Sequence, residues 1–384
     1  MTSIPGNTPV LVGIGTATRR EEDFRQALEP MDLMLEAVAA AGSDSGSEAA
    51  LAGLQYIAVP KGRWTYANPA GEIAKFFNAK GATTVLTTPG VLQQTLIGEA
   101  CARISRGEIH TALVTGADAG YRLLRAHIAG QKASEREQYD EPDIYLKPKD
   151  ELRHPVELRA GLHMPVGLYA ILESAHRAQK GWSVEACRDH VADLWSRFSE
   201  VASRNGHAWN REAIPARDIR DASAHNPMQA FPYTRYHCST WNVDQAAAVL
   251  LCSAERAEAL GVPRSQWVFP LASTESNHMV AVSAREDLAV CHGARVTGLA
   301  ALQAGGMSVD EVDLIDLYSC FPIAVQTYAE AIGLSPGRDL TLTGVCRLRE
   351  ALTTTTSCNQ PAAPLNCCGK VRDAMPCCHV SLEL

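Results

Sequence analysis

The chain has 384 residues, of which 46% are hydrophobic and 20% are charged, and its formal net charge is −8. Since a single core stops growing near roughly 250–300 residues, this length predicts two packed units. The negative charge excludes an electrostatic attraction to nucleic acid or to an anionic membrane surface. No apolar run reaches the roughly 18–20 residues of a membrane span, and the N-terminus lacks the basic and apolar regions of a signal peptide. The sequence therefore predicts a globular protein of the cytoplasm.

Helices and buried strands alternate in residues 1–120, which we predict to form an N-terminal half. Hydrophobic periodicity predicts strands at 10–15, 54–59 and 111–117 and a helix at 31–41. A further helix is predicted to begin at Gly90, after a turn, and to end before Gly107. Near-continuous apolar strands that alternate with helices indicate a parallel or mixed sheet covered on both faces.

Residues 121–236 are rich in polar and aromatic side chains and are predicted to be an insertion or cap that lines a groove. Within them, apolar spacing predicts a pair of helices at 165–180 and 183–205. Residues 237–344 resume the alternation and are predicted to form a C-terminal half. Its predicted elements are a strand or helix–strand junction at 245–253, a strand at 267–273, a helix at 294–305, a strand at 312–317 and a helix at 322–332.

The last segment, residues 345–384, differs in kind from the rest. It holds six of the twelve cysteines and has neither helical nor strand periodicity. It contains no C-x-x-C or H-x-x-x-H spacing, so no metal site is predicted there. Read one nucleotide out of phase, with permissible codons, it can yield GGMPFAGGPYNNYVLQ and then AGRATELLREGQGRHALLSRVSGV, which is a loop, a helix and a strand. We hypothesise that a nucleotide lost after Gly344 made this an aberrant tail, which resequencing the source DNA would test.

Three segments together resemble the thiolase superfamily. They are TTPGVLQQTLIGEACARISRGEIHTALVTGADA (Thr87–Ala119), NVDQAAAVLLCS (Asn242–Ser253) and DLIDLYSCFPIAVQ (Asp313–Gln326). The sequence DLYSCFP within the third segment is similar to the corresponding sequence of the thiolase-like proteins of type 1. The resemblance covers roughly residues 8–344, and it implies an α/β fold of two similar halves in α-β-α-β-α layers.

The resemblance also implies which catalytic groups are missing. Thiolases use a nucleophilic cysteine at a helix N-terminus, whose dipole favours the thiolate, and that position falls on Gly90. Tyr318 stands at the asparagine and Ser319 at the glutamate of the family's N-E-A-F motif. The family's histidine and second cysteine belong to loops beyond Gly344. Covalent acyl transfer by the usual thiolase route is therefore not expected.

Binding positions match the family better than catalytic positions do. His163 and Met164 match an H-M-G element that flanks the pantetheine arm of coenzyme A, with Pro165 in place of its glycine. Ser239 and Thr240 fall where thiolases place small polar residues against the same arm. Side chains of this kind orient a ligand without doing chemistry.

Several single residues allow two interpretations. Cys320 is either a thiol activated by the following helix N-terminus or a small buried residue, and its place at the alanine of N-E-A-F favours the second. Tyr318 is either a donor to a thioester oxygen or a core residue with a satisfied hydroxyl. His163 is expected to line the groove rather than act as a base. His237 and His278 are expected in surface loops.

These features predict an acyltransferase that acts on acyl-CoA thioesters in lipid metabolism, similar to acetyl-CoA acetyltransferase, with coenzyme A thioester as the ligand and no other cofactor. The alternative is a non-catalytic protein that binds acyl-CoA or lipid, and a third hypothesis is a structural partner of another enzyme. Members of the superfamily commonly form homodimers. Hydride transfer is not expected because Gly13-Ile14-Gly15 lacks the third glycine of a dinucleotide site, and phosphoryl transfer is not expected because no P-loop lysine motif is present.

Overall fold

The computed structural model describes residues 4–148, 154–276, 280–335 and 337–344, together with the backbone of 379–382. The described chain divides into two compact units. The first unit consists of residues 4–148 and 241–273, and the second contains 154–240, the described residues of 274–344 and 379–382. The division predicted at 1–120, 121–236 and 237–344 has other bounds and stays a prediction.

Strands and helices are numbered in chain order. The strands are β1 (Pro9–Thr18), β2 (Tyr56–Pro60), β3 (Thr83–Thr87), β4 (Thr111–Ala119), β5 (Ile144–Leu146), β6 (Met228–Ala230), β7 (Tyr233–Thr234), β8 (Asp244–Ser253), β9 (Leu314–Leu317) and β10 (His379–Leu382). The helices are α1 (Pro30–Asp44), α2 (Ala49–Ala52), α3 (Pro69–Phe76), α4 (Gln93–Ser105), α5 (Gly120–Ile128), α6 (Pro155–Arg159), α7 (Pro165–Gln179), α8 (Val184–Arg204), α9 (Ala216–Arg220), α10 (Ala254–Ala259), α11 (His292–Gly305) and α12 (Pro322–Ala331).

The first unit is built on a six-stranded mixed sheet in the order β1-β8-β4-β2-β3-β5. Strands β4, β2, β3 and β5 run parallel, whereas β8 is antiparallel to both of its neighbours. This confirms the predicted mixed sheet. The strand predicted at 245–253 is also confirmed, and it lies inside this sheet between β1 and β4. Every residue of β8 is buried, which is what a central strand requires.

A close approach between β1 and α1 explains two glycines. A Cβ atom on Gly15 would overlap the carbonyl oxygen of Ala37, and one on Gly13 would overlap that of Ala41. Only glycine lets the strand lie this near the helix backbone. The Gly13-Ile14-Gly15 segment therefore serves helix–strand packing.

The second unit has a core in which α7, α8 and α12 pack together, with Trp195, Phe198, Tyr233, Phe321 and Tyr328 among its buried aromatic side chains. Strand β9 pairs in parallel with β10, and β6 pairs with β7 as a hairpin. The predicted helix pair at 165–180 and 183–205 is confirmed as α7 and α8. The predicted helices at 294–305 and 322–332 are confirmed as α11 and α12.

Three predictions about local structure were wrong. The strand expected at 267–273 is reduced to one bridge, between Leu11 and Val268. The helix expected to begin at Gly90 begins at Gln93, because Gly90 has a φ of 103° that no helix accepts. His237 is buried instead of lying at the surface, and its Nδ1 accepts a hydrogen bond from the backbone N–H of Thr234 at 3.1 Å. Burial lowers the pKa of His237 to about 3, so its ring is neutral.

None of the helices in the described residues is long and apolar enough to cross a membrane. The hypothesis of an aberrant tail concerns 345–384, and these residues lie outside the described ones except for β10. His278 also lies outside them.

Asp244 is the first residue of β8, and its side chain contacts the N-terminal end of α5. Its carboxylate accepts backbone hydrogen bonds from Tyr121 at 2.8 Å and from Arg122 at 3.0 Å. These bonds stabilise the carboxylate, but burial outweighs them and raises the pKa of Asp244 to about 7. The folded protein therefore holds this proton more tightly than the unfolded chain does.

We expect this carboxyl group to make stability depend on pH. Its contribution is fully present below the unfolded pKa, near about 4, and is lost as the pH rises through about 7. Relative to Asp244→Asn, the free energy of unfolding of the native sequence is expected to fall by about 3 kcal/mol between about pH 4 and about pH 7. Urea unfolding of both proteins at several pH values measures this, and a difference that does not change with pH would contradict it.

Candidate functional site

The segment Tyr318–Phe321 joins β9 to α12 in the second unit. Phe321 is the N-cap of α12 and Pro322 is its first residue, where the missing N–H of proline costs no helical bond. Tyr318, Ser319 and Cys320 are all buried. The connection therefore presents its side chains to the core of the unit rather than to solvent.

Cys320 is 0% exposed, and the hydrogen-bond partners of its side chain include the phenols of Tyr169 and Tyr318. Burial raises the pKa of the Cys320 thiol to about 12, and the hydrogen bonds only partly offset this. The interpretation in which the helix N-terminus activates this thiol is disfavoured, because loss of water outweighs the effect of the helix dipole. The structure thus favours the interpretation of Cys320 as a buried residue.

Tyr169 on α7 was not found by sequence reasoning. Its ring stacks on Phe321 with 4.4 Å between ring centroids, and its hydroxyl contacts Cys320. Burial raises the pKa of Tyr169 well above its usual value, so its phenol is a hydrogen-bond donor and not a base at neutral pH. The helical spacing around Tyr169 predicted a residue that faces the core, but nothing in the sequence indicated which segment it would contact.

Glu173 stands one turn after Tyr169, on the same face of α7, and is 0% exposed. Its carboxylate accepts hydrogen bonds from the Tyr233 hydroxyl at 2.6 Å and from the Gln326 amide at 3.0 Å. The Cys187 thiol is a further donor at 3.8 Å. Burial raises the pKa of Glu173. The ring of Tyr233 lies 5.7 Å from that of Phe321, so this buried network supports the residue that follows Cys320.

The predicted pantetheine residues lie in the same unit in two environments. His163 and Met164 are exposed just before α7, and Met164 is 48% exposed. Along α7, Met164 precedes Tyr169 by five residues, which is a rise of about 8 Å. Ser239 is buried and its hydroxyl has no hydrogen-bond partner in the described structure, while Thr240 is half-buried.

A second thiol of this unit borders open space. Cys291 is the N-cap of α11 and is half-buried. It lines a cavity of about 250 Å³ together with Arg285 and His292. Burial raises the pKa of Cys291, although backbone N–H groups of Gly293 and Ala294 oppose the shift. This cavity is smaller than the roughly 300–1,000 Å³ of typical small-molecule sites.

Gly90 lies in the first unit, in the connection between β3 and α4. Its φ of 103° belongs to a region that side-chain-bearing residues rarely adopt. A cysteine with this backbone would be strained and would stand three residues before the helix begins. That Gly90 occupies the family's nucleophile position stays a prediction.

Chain-long similarity to solved structures identifies the family. A monomeric SCP2-thiolase-like protein type 1 from Mycobacterium smegmatis is 26% identical, with a TM-score of 0.81 over 99% of this chain and 75% of that one. The chain belongs to the thiolase superfamily. The dimeric peroxisomal thiolase of Saccharomyces cerevisiae is 14% identical, with a TM-score of 0.63 over 97% of this chain and 93% of that one. An acetyl-CoA acetyltransferase from Syntrophomonas wolfei is 17% identical, with a TM-score of 0.60 over 96% and 93%.

No protein-family model matches the sequence of this thiolase-superfamily chain. The predicted thiolase fold and the resemblance to the type 1 thiolase-like proteins are nevertheless confirmed. The solved relatives include a monomer and a dimer, so the family does not fix the oligomeric state. The functional roles assigned to Gly90, His163, Met164, Ser239, Thr240 and Tyr318 stay predictions.

Proposed function

We propose that this protein binds acyl-CoA or a related thioester without forming a covalent acyl-enzyme at Cys320. The observation that carries the proposal is the surroundings of that thiol, which is fully buried beside two phenols and has a pKa of about 12. Acyl transfer to cysteine requires a thiolate and a base that removes the proton. Tyr169, whose pKa burial raises well above its usual value, donates a hydrogen bond and cannot serve as that base at neutral pH.

The binding residues support a ligand of this class. The unpartnered hydroxyl of Ser239 is a buried donor that would gain a hydrogen bond from a ligand oxygen. Thr240 adds a second hydroxyl, and Met164 offers an exposed apolar surface at the start of α7. His163 is exposed beside it. Sites that orient small molecules typically combine a few polar groups with apolar side chains.

Thermal unfolding in the presence of coenzyme A and acetyl-CoA tests this proposal. A ligand that binds only the folded protein raises Tm in a concentration-dependent way. We expect such a rise, and we expect Ser239→Ala to weaken binding about fivefold by removing one hydrogen bond. Ser203→Ala is the matched control, because the Ser203 hydroxyl already donates to Glu200. The absence of any Tm rise at millimolar ligand would contradict the proposal.

Acyl transfer, similar to that of an acetyl-CoA acetyltransferase, is the second candidate function. It is favoured by the contact between Tyr318 and Cys320 and by the fold shared with enzymes of that name. Release of free coenzyme A from acetyl-CoA, followed with a thiol reagent, tests it. Release that disappears in both Cys320→Ala and Tyr318→Phe would replace the binding proposal with this one.

A cytoplasmic location, a role in lipid metabolism and a homodimer are kept as proposals. The homodimer is tested by sedimentation at micromolar concentrations, where a single species with the mass of one chain would exclude it. The hypothesis of a non-catalytic lipid-binding protein makes a different prediction for ligand binding. In that case fatty acids, and not coenzyme A, would raise Tm.

A further inference from the structure

The chain that leads into β8 is anchored in the first unit by the junction between β4 and α5. The Gly120 N–H donates a hydrogen bond to the Val243 carbonyl at 2.8 Å. Backbone N–H groups in the first turn of α5 donate to the Asp244 carboxylate at 2.8 Å and 3.0 Å. Backbone donors therefore hold Val243 and Asp244, whereas Trp241, which comes just before them, is held by a side chain.

That side chain is Arg63, which lies in the connection between β2 and α3. Its guanidinium donates a hydrogen bond to the Trp241 carbonyl. It also lies over the Trp241 ring, with 5.8 Å between the Arg63 Cζ and the ring centroid. The hydrogen bond restricts the backbone of Trp241, and the cation–π contact restricts its side chain. Arg63 thus limits both the backbone and the side-chain torsions of one residue.

Asp118, near the end of β4, orients Arg63. Its Oδ1 lies 3.5 Å from the Arg63 Nε, and its Oδ2 accepts a hydrogen bond from the Arg63 backbone N–H at 3.3 Å. The side chain of Asp118 is 2% exposed and that of Arg63 is 27% exposed. An ion pair so far removed from water is screened less than a surface pair is. The guanidinium is therefore held at one place by a buried counter-ion.

Gly120 leaves the space in which these groups meet. A Cβ atom on this residue would overlap both the guanidinium of Arg63 and the carbonyl oxygen of Trp241. Gly120 is not among the glycines with a positive φ. The close approach of Arg63 to Trp241, and not an unusual backbone conformation, is thus what glycine permits at this position.

The two residues directly before Trp241 are Ser239 and Thr240, whose hydroxyls the proposed function assigns to the ligand. We propose that Arg63 is a positioning residue for this ligand, because it holds Trp241 and thereby fixes the orientation of the two hydroxyls before it. Since consecutive residues share planar peptide groups, fixing Trp241 restricts the torsion angles open to Thr240. The proposal rests on the proposed function for the role of the hydroxyls, and it adds a residue that the sequence did not indicate.

Calorimetric titration with coenzyme A tests the proposal. Arg63→Gln is expected to weaken binding about fivefold, because Trp241 loses its charged donor and the hydroxyls lose their fixed orientation. Arg63→Lys keeps the positive charge and a donor but not the planar fork, so it should regain part of the lost affinity. Native affinity in Arg63→Gln would overturn the proposal.

Arg264→Gln is the matched control. Arg264 belongs to the same unit, pairs with Glu258, and lies over a tryptophan ring, with 5.4 Å between its Cζ and the centroid of Trp267. The substitution removes the same kind of contact at a position that no proposed ligand residue adjoins. It should leave the affinity for coenzyme A unchanged. Equal weakening by Arg264→Gln and Arg63→Gln would show a general loss of stability and overturn the proposal.

The indole signal of Trp241 gives a readout that needs no ligand. The chain has six tryptophans, and Trp241→Phe identifies this one among their nitrogen-15 NMR signals. Arg63→Gln should shift the Trp241 signal, whereas Arg264→Gln should shift that of Trp267. An unchanged Trp241 signal in Arg63→Gln would overturn the proposal. Failure of the proposed function is distinct, since it is seen in the native sequence as the absence of a Tm rise with coenzyme A.

A double variant separates positioning from the cost of an unpaired charge. Arg63→Gln alone leaves the Asp118 carboxylate buried without its cation, which destabilises the fold whatever the role of Arg63. Arg63→Gln/Asp118→Asn removes both charges and keeps side chains of similar shape. The double variant should show the same loss of affinity as Arg63→Gln, measured below its Tm. Native affinity in the double variant would assign the loss to the unpaired carboxylate and overturn the proposal.

Discussion

Cys320 is expected to react with iodoacetamide about a thousand times more slowly in the folded protein than in the urea-unfolded chain. At pH 8, a thiol with a pKa of about 12 carries roughly a thousandth of the thiolate of one with an ordinary pKa near 9. Burial of the sulfur slows the reaction further. Peptide mapping by mass spectrometry after timed labelling measures the rate at this cysteine.

The half-buried Cys291 serves as the internal comparison. It borders a cavity, so it should react with iodoacetamide before Cys320 does. Cys320→Ser should remove the slow labelling without changing the rate at Cys291. Labelling of Cys320 in the folded protein at the rate found in urea would contradict the assignment of a buried, protonated thiol.

Glu173→Ala is expected to lower the free energy of unfolding of the second unit by about 4 kcal/mol. The substitution removes the acceptor of two buried donors, the Tyr233 hydroxyl and the Gln326 amide, and leaves a cavity. Both donors would then be buried without a hydrogen-bond acceptor. Urea unfolding, with hydrogen exchange of the amides in α7 and α12 as the local probe, measures the loss.

Glu185→Ala is the matched control, since Glu185 is an exposed carboxylate on α8 that pairs with Arg188 at 2.9 Å. An exposed ion pair of this type contributes about 0–1 kcal/mol. Tyr233→Phe should lie between the two, because it removes one donor and keeps the acceptor for Gln326. A loss for Glu173→Ala no larger than that for Glu185→Ala would show that the buried network is not what stabilises the unit.

Local elements of the fold could be predicted from the sequence, and their order in the sheet could not. Apolar runs such as 111–117 and 245–253 predicted buried strands because a strand covered on both faces reads as continuously apolar. The position of β8 between β1 and β4 depends on pairing between residues that are more than 100 positions apart, and no local pattern carries that information.

The candidate site shows the same limit. The segment around Tyr318 and Cys320 could be found because its sequence resembles that of thiolases, whereas the three residues from Gly90 to Leu92 were predicted as helix and precede it. The sequence left two interpretations of Cys320 open because its neighbour Tyr169 comes from a helix that lies 151 positions earlier. Burial by a distant segment decides whether a helix N-terminus can activate a thiol, and spacing within one segment cannot reveal it.

The claim that the protein binds acyl-CoA without acylation of Cys320 is tested most directly by incubation with acetyl-CoA at a concentration that raises Tm. Peptide mapping by mass spectrometry, under conditions that preserve thioesters, then locates any acetyl group. The account predicts ligand-dependent stabilisation with no acetyl group on Cys320. Acetylation of Cys320 in the wild type that is lost in Cys320→Ser, while Cys291 remains unmodified, would contradict it and establish a covalent acyl-enzyme.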